Sequence, residues 1–217
     1  MFTIRHAQFL LGTLYIVAAI ALFTPWFVPS LAFTHVLLIL SLALLVWAQK
    51  PQKGWFSFAW RLVASAGLGF LLELKGIQTG RLFGDYVFLE TLGWKLWGVP
   101  LLMGGLWAMF PLMAVNLVPA GVVSPLHRAV SASVLLAVFD ILLERSASYV
   151  HWWQFVGGVV TIDNTIGWLV TGFCTAFLLV PAVPSVDVHP RNPLALPLFL
   201  CLVLYFSAAF VVQFLVP

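Results

Sequence analysis

Charged side chains are scarce in this sequence. Asp, Glu, Lys and Arg make up 8% of its 217 residues, against 63% hydrophobic. At a mean hydropathy of +1.08 there is too little polar side chain to cover a globule, which excludes a water-soluble domain. The basic residues behind the formal charge of +3 are scattered singly, so that charge reports on membrane topology and argues against nucleic acid as a partner. Strand-like alternation is also missing, which leaves helices rather than a barrel to satisfy the backbone in lipid. Cysteine occurs only at Cys174 and Cys201, each in an apolar run with no CxxC spacing and no adjacent His; these read as inert buried thiols. The histidines, at 6, 35, 127, 151 and 189, form no HxxH or HxxxH pair, which argues against a histidine-rich di-iron oxygenase. The last apolar run has no lysine for a retinal Schiff base, and neither GxxxxGK[ST] nor GxGxxG occurs, so no nucleotide or nicotinamide site is indicated.

What is present is a series of apolar runs of bilayer length, roughly 20 residues each. They predict an all-α fold, a polytopic membrane helix bundle of about seven transmembrane helices, in one integral-membrane domain over residues 1–217. The spans are expected over Ala7 to Pro29, Leu31 to Trp47, Phe58 to Leu74, Leu92 to Val118, His127 to Leu143, Thr165 to Val183 and Leu194 to Val216. Arg5 and His6 ahead of the first run resemble the start of a signal peptide, but no small-residue cleavage site follows, so a retained helix is expected. The helices within 7–48 and 194–216 read as scaffold. Ala64, Ala66, Gly67 and Gly69 predict close packing that puts the third helix inside the bundle. Pro100 and Pro111 predict a kinked fourth helix lining a cavity.

An odd number of spans puts the termini on opposite sides, and the charges then sort. Arg5, Lys50, Lys53, Arg61, Arg128 and Arg191 fall on the N-terminal side, and Lys75, Arg81, Lys95 and Arg145 on the other. This bias predicts a cytoplasmic N terminus. The acids are more polarised: Glu73, Asp85, Glu90, Asp140, Glu144 and Asp163 gather at the opposite end, and only Asp187 lies on the N-terminal side. That end is the candidate site.

The stretch from Glu73 to Pro100, ELKGIQTGRLFGDYVFLETLGWKLWGVP, combines charges with closely spaced glycines and the rings of Phe83, Tyr86 and Phe88. It predicts a shaped loop between membrane helices. Glu73 lies near a helix end, where an acid in lipid requires a wet cavity or a partner such as Lys75 or Arg145. Asp140 and Glu144, spaced i,i+4, share one helix face. Neighbouring carboxylates favour holding a proton between them, whereas an ion pair with Arg145 is the structural alternative. Asp163 and Asn164 stand just before a predicted helix start, where capping explains Asp163. Asp85 and Glu90 read as loop charges. Most tryptophans read as interface anchors, with Trp94, Trp107, Trp153 and Trp168 in motif-like settings.

These residues carry a resemblance. Glu73-x-x-Gly76-x-x-Thr79-Gly80-x-x-Phe83-Gly84-x-Tyr86, then Leu92-Gly93, Gly98-Val99-Pro100 and Trp107-x-Met109, resembles the signature of the membrane carotenoid hydratases of the CruF type, the carotenoid biosynthesis protein family. Asp140-x-x-Leu143-Glu144 with Ala147 resembles that family's DxxLDPxA element, and Asn164-x-x-Gly167-Trp168 its N-x-x-G-W element. The match covers residues 73–168, the motif-bearing part. Leu82 stands where the family has a proline, Glu144 where it has an aspartate, and Arg145 where it has a second proline.

The resemblance implies hydration of the terminal C=C of an acyclic carotenoid end group to a tertiary alcohol, with water as co-substrate and no cofactor or metal. It implies catalytic roles for Glu73, Asp140, Glu144 and Asn164, and substrate binding by Phe83, Tyr86, Trp94, Trp107 and Trp168. Protonating such an alkene needs a strong, dry acid, which a neutral carboxylic acid supplies, and ring faces stabilise the resulting cation. The expected location is a prokaryotic cell membrane. Two rivals stand beside this reading. An intramembrane prenyltransferase would use Asp140 and Glu144 to hold magnesium on a diphosphate, aided by Arg81 or Arg145, but it calls for two aspartate-rich boxes. A carotenoid or lipid carrier, or a small transporter, would use the acids to gate a polar path, without the inverted repeat that a transporter suggests.

Overall fold

The first helix, α1 (Ile4–Ala21), begins where Thr3 and His6 cap each other: the His6 N–H donates to Thr3 Oγ1 at 3.4 Å and the Thr3 N–H to His6 Nδ1 at 3.1 Å. In this computed structural model residues 2–119, 124–183 and 192–215 are described; Asp187, His189, Arg191 and Val216, used above, lie outside them. The short α2 (Phe27–Leu31) leads into α3 (Thr34–Ala48), followed by α4 (Gly54–Thr79), α5 (Leu101–Leu117), α6 (Pro125–Ala147), α7 (Ile162–Leu179) and α8 (Ala195–Leu215). Among the described residues, counting Phe27–Ala48 as one, 6 spans are long and apolar enough to cross a membrane, and the 17-residue α5 is a shorter apolar helix beside them. The chain is thus an all-α polytopic bundle. Its first span ends at Ala21 rather than Pro29, which instead lies within α2.

The central helix is α5, not the small-residue helix α4. Every residue from Leu106 to Asn116 is buried, whereas α4 buries only the stripe Phe58, Ser65, Gly69, Glu73 and Gly76. The small residues act on that one face. A methyl at Gly69 would overlap Trp107 of α5, and one at Gly104 of α5 would press on the Ala66 carbonyl, while Gly67 meets nothing. Pro111 sits inside α5 and has no N–H to offer the carbonyl four residues back, that of Trp107. Ser65 of α4 supplies the missing donor: its Oγ donates to the Trp107 carbonyl at 2.7 Å.

The fourth span does not start at Leu92. Pro100 precedes the helix and forces its neighbour away from helical backbone, so α5 begins only at Leu101. The residues before it form a hairpin of β2 (Lys95–Leu96) and β3 (Val99–Pro100), turning through Trp97 and Gly98, both at positive φ (52° and 88°), as a two-residue hairpin turn requires. Ahead of it, β1 (Tyr86–Phe88) pairs antiparallel with β4 (Trp153–Phe155), in the register Tyr86↔Phe155 and Phe88↔Trp153. This ladder ties the α4–α5 loop to the α6–α7 loop. At the other end of α5, Asn116 and Asn192 both donate to Gln49 Oε1 at 3.1 Å, and Asn192 also donates to the Leu45 carbonyl at 2.6 Å. This buried polar clip joins α3, α5 and the start of α8.

Candidate active site

A carboxyl buried in a membrane protein is expensive unless its oxygens find donors. Glu73, on the last turns of α4 and 4% exposed, has both oxygens engaged. Oε1 accepts from Trp107 Nε1 at 2.8 Å, and Oε2 accepts from the Tyr86 hydroxyl. Burial, reinforced by the neighbouring Glu73, holds the Tyr86 phenol well above its usual range, so it remains a donor. Neither Lys75 nor Arg145 pairs with Glu73; among the described residues the ion pair is Lys95 with Glu90, at 2.9 Å on the loop.

The second group sits on α6 and α7. Asp140, 1% exposed, accepts from Asn164 Nδ2 at 2.7 Å through Oδ2, and its Oδ1 has no donor among the described residues. One helical turn on, Glu144 shares the face of α6 that carries Asp140 and accepts from Trp153 Nε1 at 2.9 Å through Oε2. Two ionised carboxylates cannot bond each other, because both only accept. A proton on either one would make it a donor to its neighbour.

The β1–β4 ladder closes the space between the two groups. Its alternation turns Tyr86, Phe88, Trp153 and Phe155 inward and leaves the middle residues exposed. On α7, Asn164, Gly167 and Trp168 share one face by their i, i+3, i+4 spacing. Asn164 meets Asp140, Trp168 lies 4.8 Å from Trp107 between ring centroids, and a methyl on Gly167 would overlap the Leu82 carbonyl and the Phe83 ring. The spacing N-x-x-G-W is therefore what one helix face needs to hold an acid, a loop and a ring together.

Glu73, Tyr86, Glu144 and Asn164, with Phe83 and Trp168, border a hole of about 10 Å³, room for about one water. Asp140, Glu144 and Asn164 also border a wider groove of about 280 Å³, shared with Ile141, Arg145 and Val160. Glu144 and Asn164 form the partition between the two spaces.

A family model described as carotenoid biosynthesis protein matches residues 33–216. The chain belongs to the carotenoid biosynthesis protein family. No curated protein and no solved structure matches it significantly. The match extends well beyond residues 73–168, taking in α3 to α8, so α3 and α8 of the helices read as scaffold lie in the matched region as well.

Of the residues singled out in the sequence, Glu73, Phe83, Tyr86, Asp140, Glu144, Asn164 and Trp168 come together. Trp94 does not: it precedes the β2–β3 hairpin, is 88% exposed and does not border the hole. Trp107 is buried behind Glu73 and holds that carboxyl rather than bordering the hole. Asp163, in the first turn of α7, and Asp85, in the loop, both stay exposed. Phe88, Met103, Trp153 and Phe155 also line the hole. For the strands β1 and β4 the available signal was ring–other–ring alternation in Tyr86-Val87-Phe88 and Trp153-Gln154-Phe155, too short to read as pairing.

Proposed function

We propose that this carotenoid biosynthesis protein is a hydratase that adds water across the terminal C=C of an acyclic carotenoid end group. The observation that carries this reading is a set of carboxyl groups in unlike settings, Glu73 and Glu144 on either side of one water-sized hole and Asp140 behind Glu144 on the adjoining groove, without a paired cation among the described residues.

In the proposed step the end group enters by the groove beside Ile141 and Val160. The Asp140–Glu144 pair gives its proton to the less substituted alkene carbon, and the π electrons form the new C–H bond. A tertiary cation remains on the adjacent carbon beside the Glu144–Asn164 partition, with the rings of Trp168 and Phe83 lining the hole on its far side. Water held between Glu73 and Glu144 attacks it, forming the C–O bond, and loses a proton to Glu73. That proton returns to the pair through the hole, so H and OH are added with no net change in the protein. Asn164 holds Asp140 in place, and the indoles of Trp107 and Trp153 orient Glu73 and Glu144. Two carboxyls in different settings divide the roles of acid and base.

The test is pigment analysis after expression in a host that accumulates an acyclic carotenoid, grown in ¹⁸O-enriched water. A tertiary alcohol carrying the heavy oxygen is expected. An elongated product that depends on magnesium would replace this reading with a prenyltransferase. Unchanged pigment in the presence of folded protein would replace it with a carrier.

A further inference from the structure

The turn that leads into α5 holds its apolar side chains outward. Trp94 and Trp97 are 88% and 70% exposed, and Leu96 and Leu101 beside them 42% and 53%. Trp97 also sits at φ 52°, a left-handed backbone that suits Asn or Gly and is unfavourable for a bulky ring. Large apolar groups gathered on one turn are unfavourable in water and call for a partner outside the chain.

Two features fix the depth of this turn. At the far end of α5, Asn116 bonds Gln49, which adjoins the exposed Lys50, so that end of the helix lies at the polar boundary of the bilayer. From there its 17 residues, at about 1.5 Å each, reach about 25 Å, short of a hydrocarbon core about 30 Å thick. Leu101 therefore stops below the opposite boundary, and the hairpin that precedes it occupies the remaining depth. The second feature is α4. A methyl on Gly98 would lie 3.2 Å from Ile77, so the turn rests on α4 just past the exposed Lys75, a charge that marks the polar boundary on that helix.

The hairpin is also built to lie there. Irregular backbone is excluded from lipid because its polar groups go unpaired. Here Lys95 pairs with Pro100 and Leu96 with Val99, and the Leu101 N–H donates to the Trp94 carbonyl at 2.8 Å. The Lys95 side chain turns back toward the protein: its Nζ donates to the Phe88 carbonyl and to Glu90 Oε1, both at 2.9 Å. The tryptophans are left as the outward groups, and amphipathic rings of this kind are enriched at the level of the lipid headgroups.

We infer that the β2–β3 hairpin is a membrane-interface anchor, with Trp94 and Trp97 seated in the headgroup–acyl boundary of the leaflet at the acid end. The partner of this surface is the lipid of that leaflet. Through Lys95 and the Phe88 carbonyl the anchor also holds β1, whose Phe88 lines the water-sized hole, so it sets the depth of that hole below the membrane surface. The inference is independent of the reaction performed at the site.

The experiment is fluorescence quenching of the full-length protein in phosphatidylcholine nanodiscs, with the acyl chains brominated either near the headgroup or near the chain ends. Subtracting the spectrum of the variant Trp94→Phe, Trp97→Phe isolates the emission of the hairpin pair, and each single variant gives the same subtraction for one ring should the double variant not fold. Most of the pair's emission is expected to be lost with bromine near the headgroup, less with bromine near the chain ends, and little to iodide in the water. Emission that both lipids spare and iodide quenches would place the hairpin in water. Emission spared by both lipids and by iodide would place it under a protein partner, such as a second copy of this chain. Stronger quenching by the deep bromine would place it in the hydrocarbon core. Each of these three results would overturn the inference, and none of them involves hydration.

Discussion

At the scale of single residues, the account turns on what each carboxyl touches. Asp140→Asn and Glu144→Gln keep shape and hydrogen bonding but cannot protonate an alkene, so each is expected to lower hydration by about a hundred- to ten-thousandfold, the usual worth of a positioned proton donor. Glu144→Asp is expected to retain part of the activity, since it keeps the acid on a shorter arm. Glu73→Gln should be as severe as the first two, because Glu73 has Tyr86 and Trp107 as partners and, among the described residues, no cation whose loss would explain an effect. Product formed per folded protein in isolated membranes measures all four, and a Glu73→Gln variant of normal activity would remove Glu73 from the mechanism. The acids were legible in the sequence because a carboxyl in lipid needs a reason to be there. Their donors were less so. Trp153 reaches Glu144 only through strand pairing between two distant loops, and Trp94, in an equally motif-like setting, is carried outward by the hairpin that follows it.

At the scale of elements, α4 and α5 hold one half of the site as a unit. Pro111 frees the Trp107 carbonyl, Ser65 takes it up, and the same Trp107 holds Glu73. Ser65→Ala leaves that buried carbonyl unsatisfied, and about 1–3 kcal/mol of stability should be lost, read as a lower unfolding midpoint in detergent. Ser65→Thr keeps a hydroxyl, and its midpoint should lie nearer that of the unaltered protein; equal loss in both variants would show that the hydroxyl is not what matters. Helix existence could be read from apolar run length, and Pro111 was visible as an interruption of α5. Its consequence was not, because the residue that compensates it lies on another helix. The segment 92–100 read as helix for want of polar residues, and Pro100 with the positive φ of Trp97 and Gly98 makes it a hairpin instead. The small residues of α4 pointed correctly to tight packing but misplaced the helix, since they line one face only and α5 occupies the centre.

At the scale of the whole molecule, the bundle brings together at one end the ends of α4, α6 and α7 that carry Glu73, Asp140, Glu144 and Asn164, while the Asn116–Gln49–Asn192 clip secures the other end of α5. That polarity was already written in the distribution of acids along the chain, because an odd number of crossings places those positions on one side. The clip was not legible, since isolated Asn and Gln residues at helix ends have no distinguishing pattern. With the N terminus in the cytoplasm, as the distribution of basic residues favours, a cysteine at the exposed position Arg81 should react with an impermeant thiol reagent in intact cells, and one at Gln52 should not. The reverse pattern would invert the orientation and leave the chemistry in place.

The claim at the centre of this account is that the proton added to the alkene comes from the Asp140–Glu144 pair. The measurement that addresses it most directly is hydration by the double variant Asp140→Asn, Glu144→Gln, compared with the unaltered protein at matched amounts of folded protein in membranes, since removal of buried polar partners can also weaken the fold. The account predicts a tertiary alcohol from the unaltered protein and none above background from the double variant. Near-normal hydration by that variant would contradict it and would move the source of the proton to Glu73.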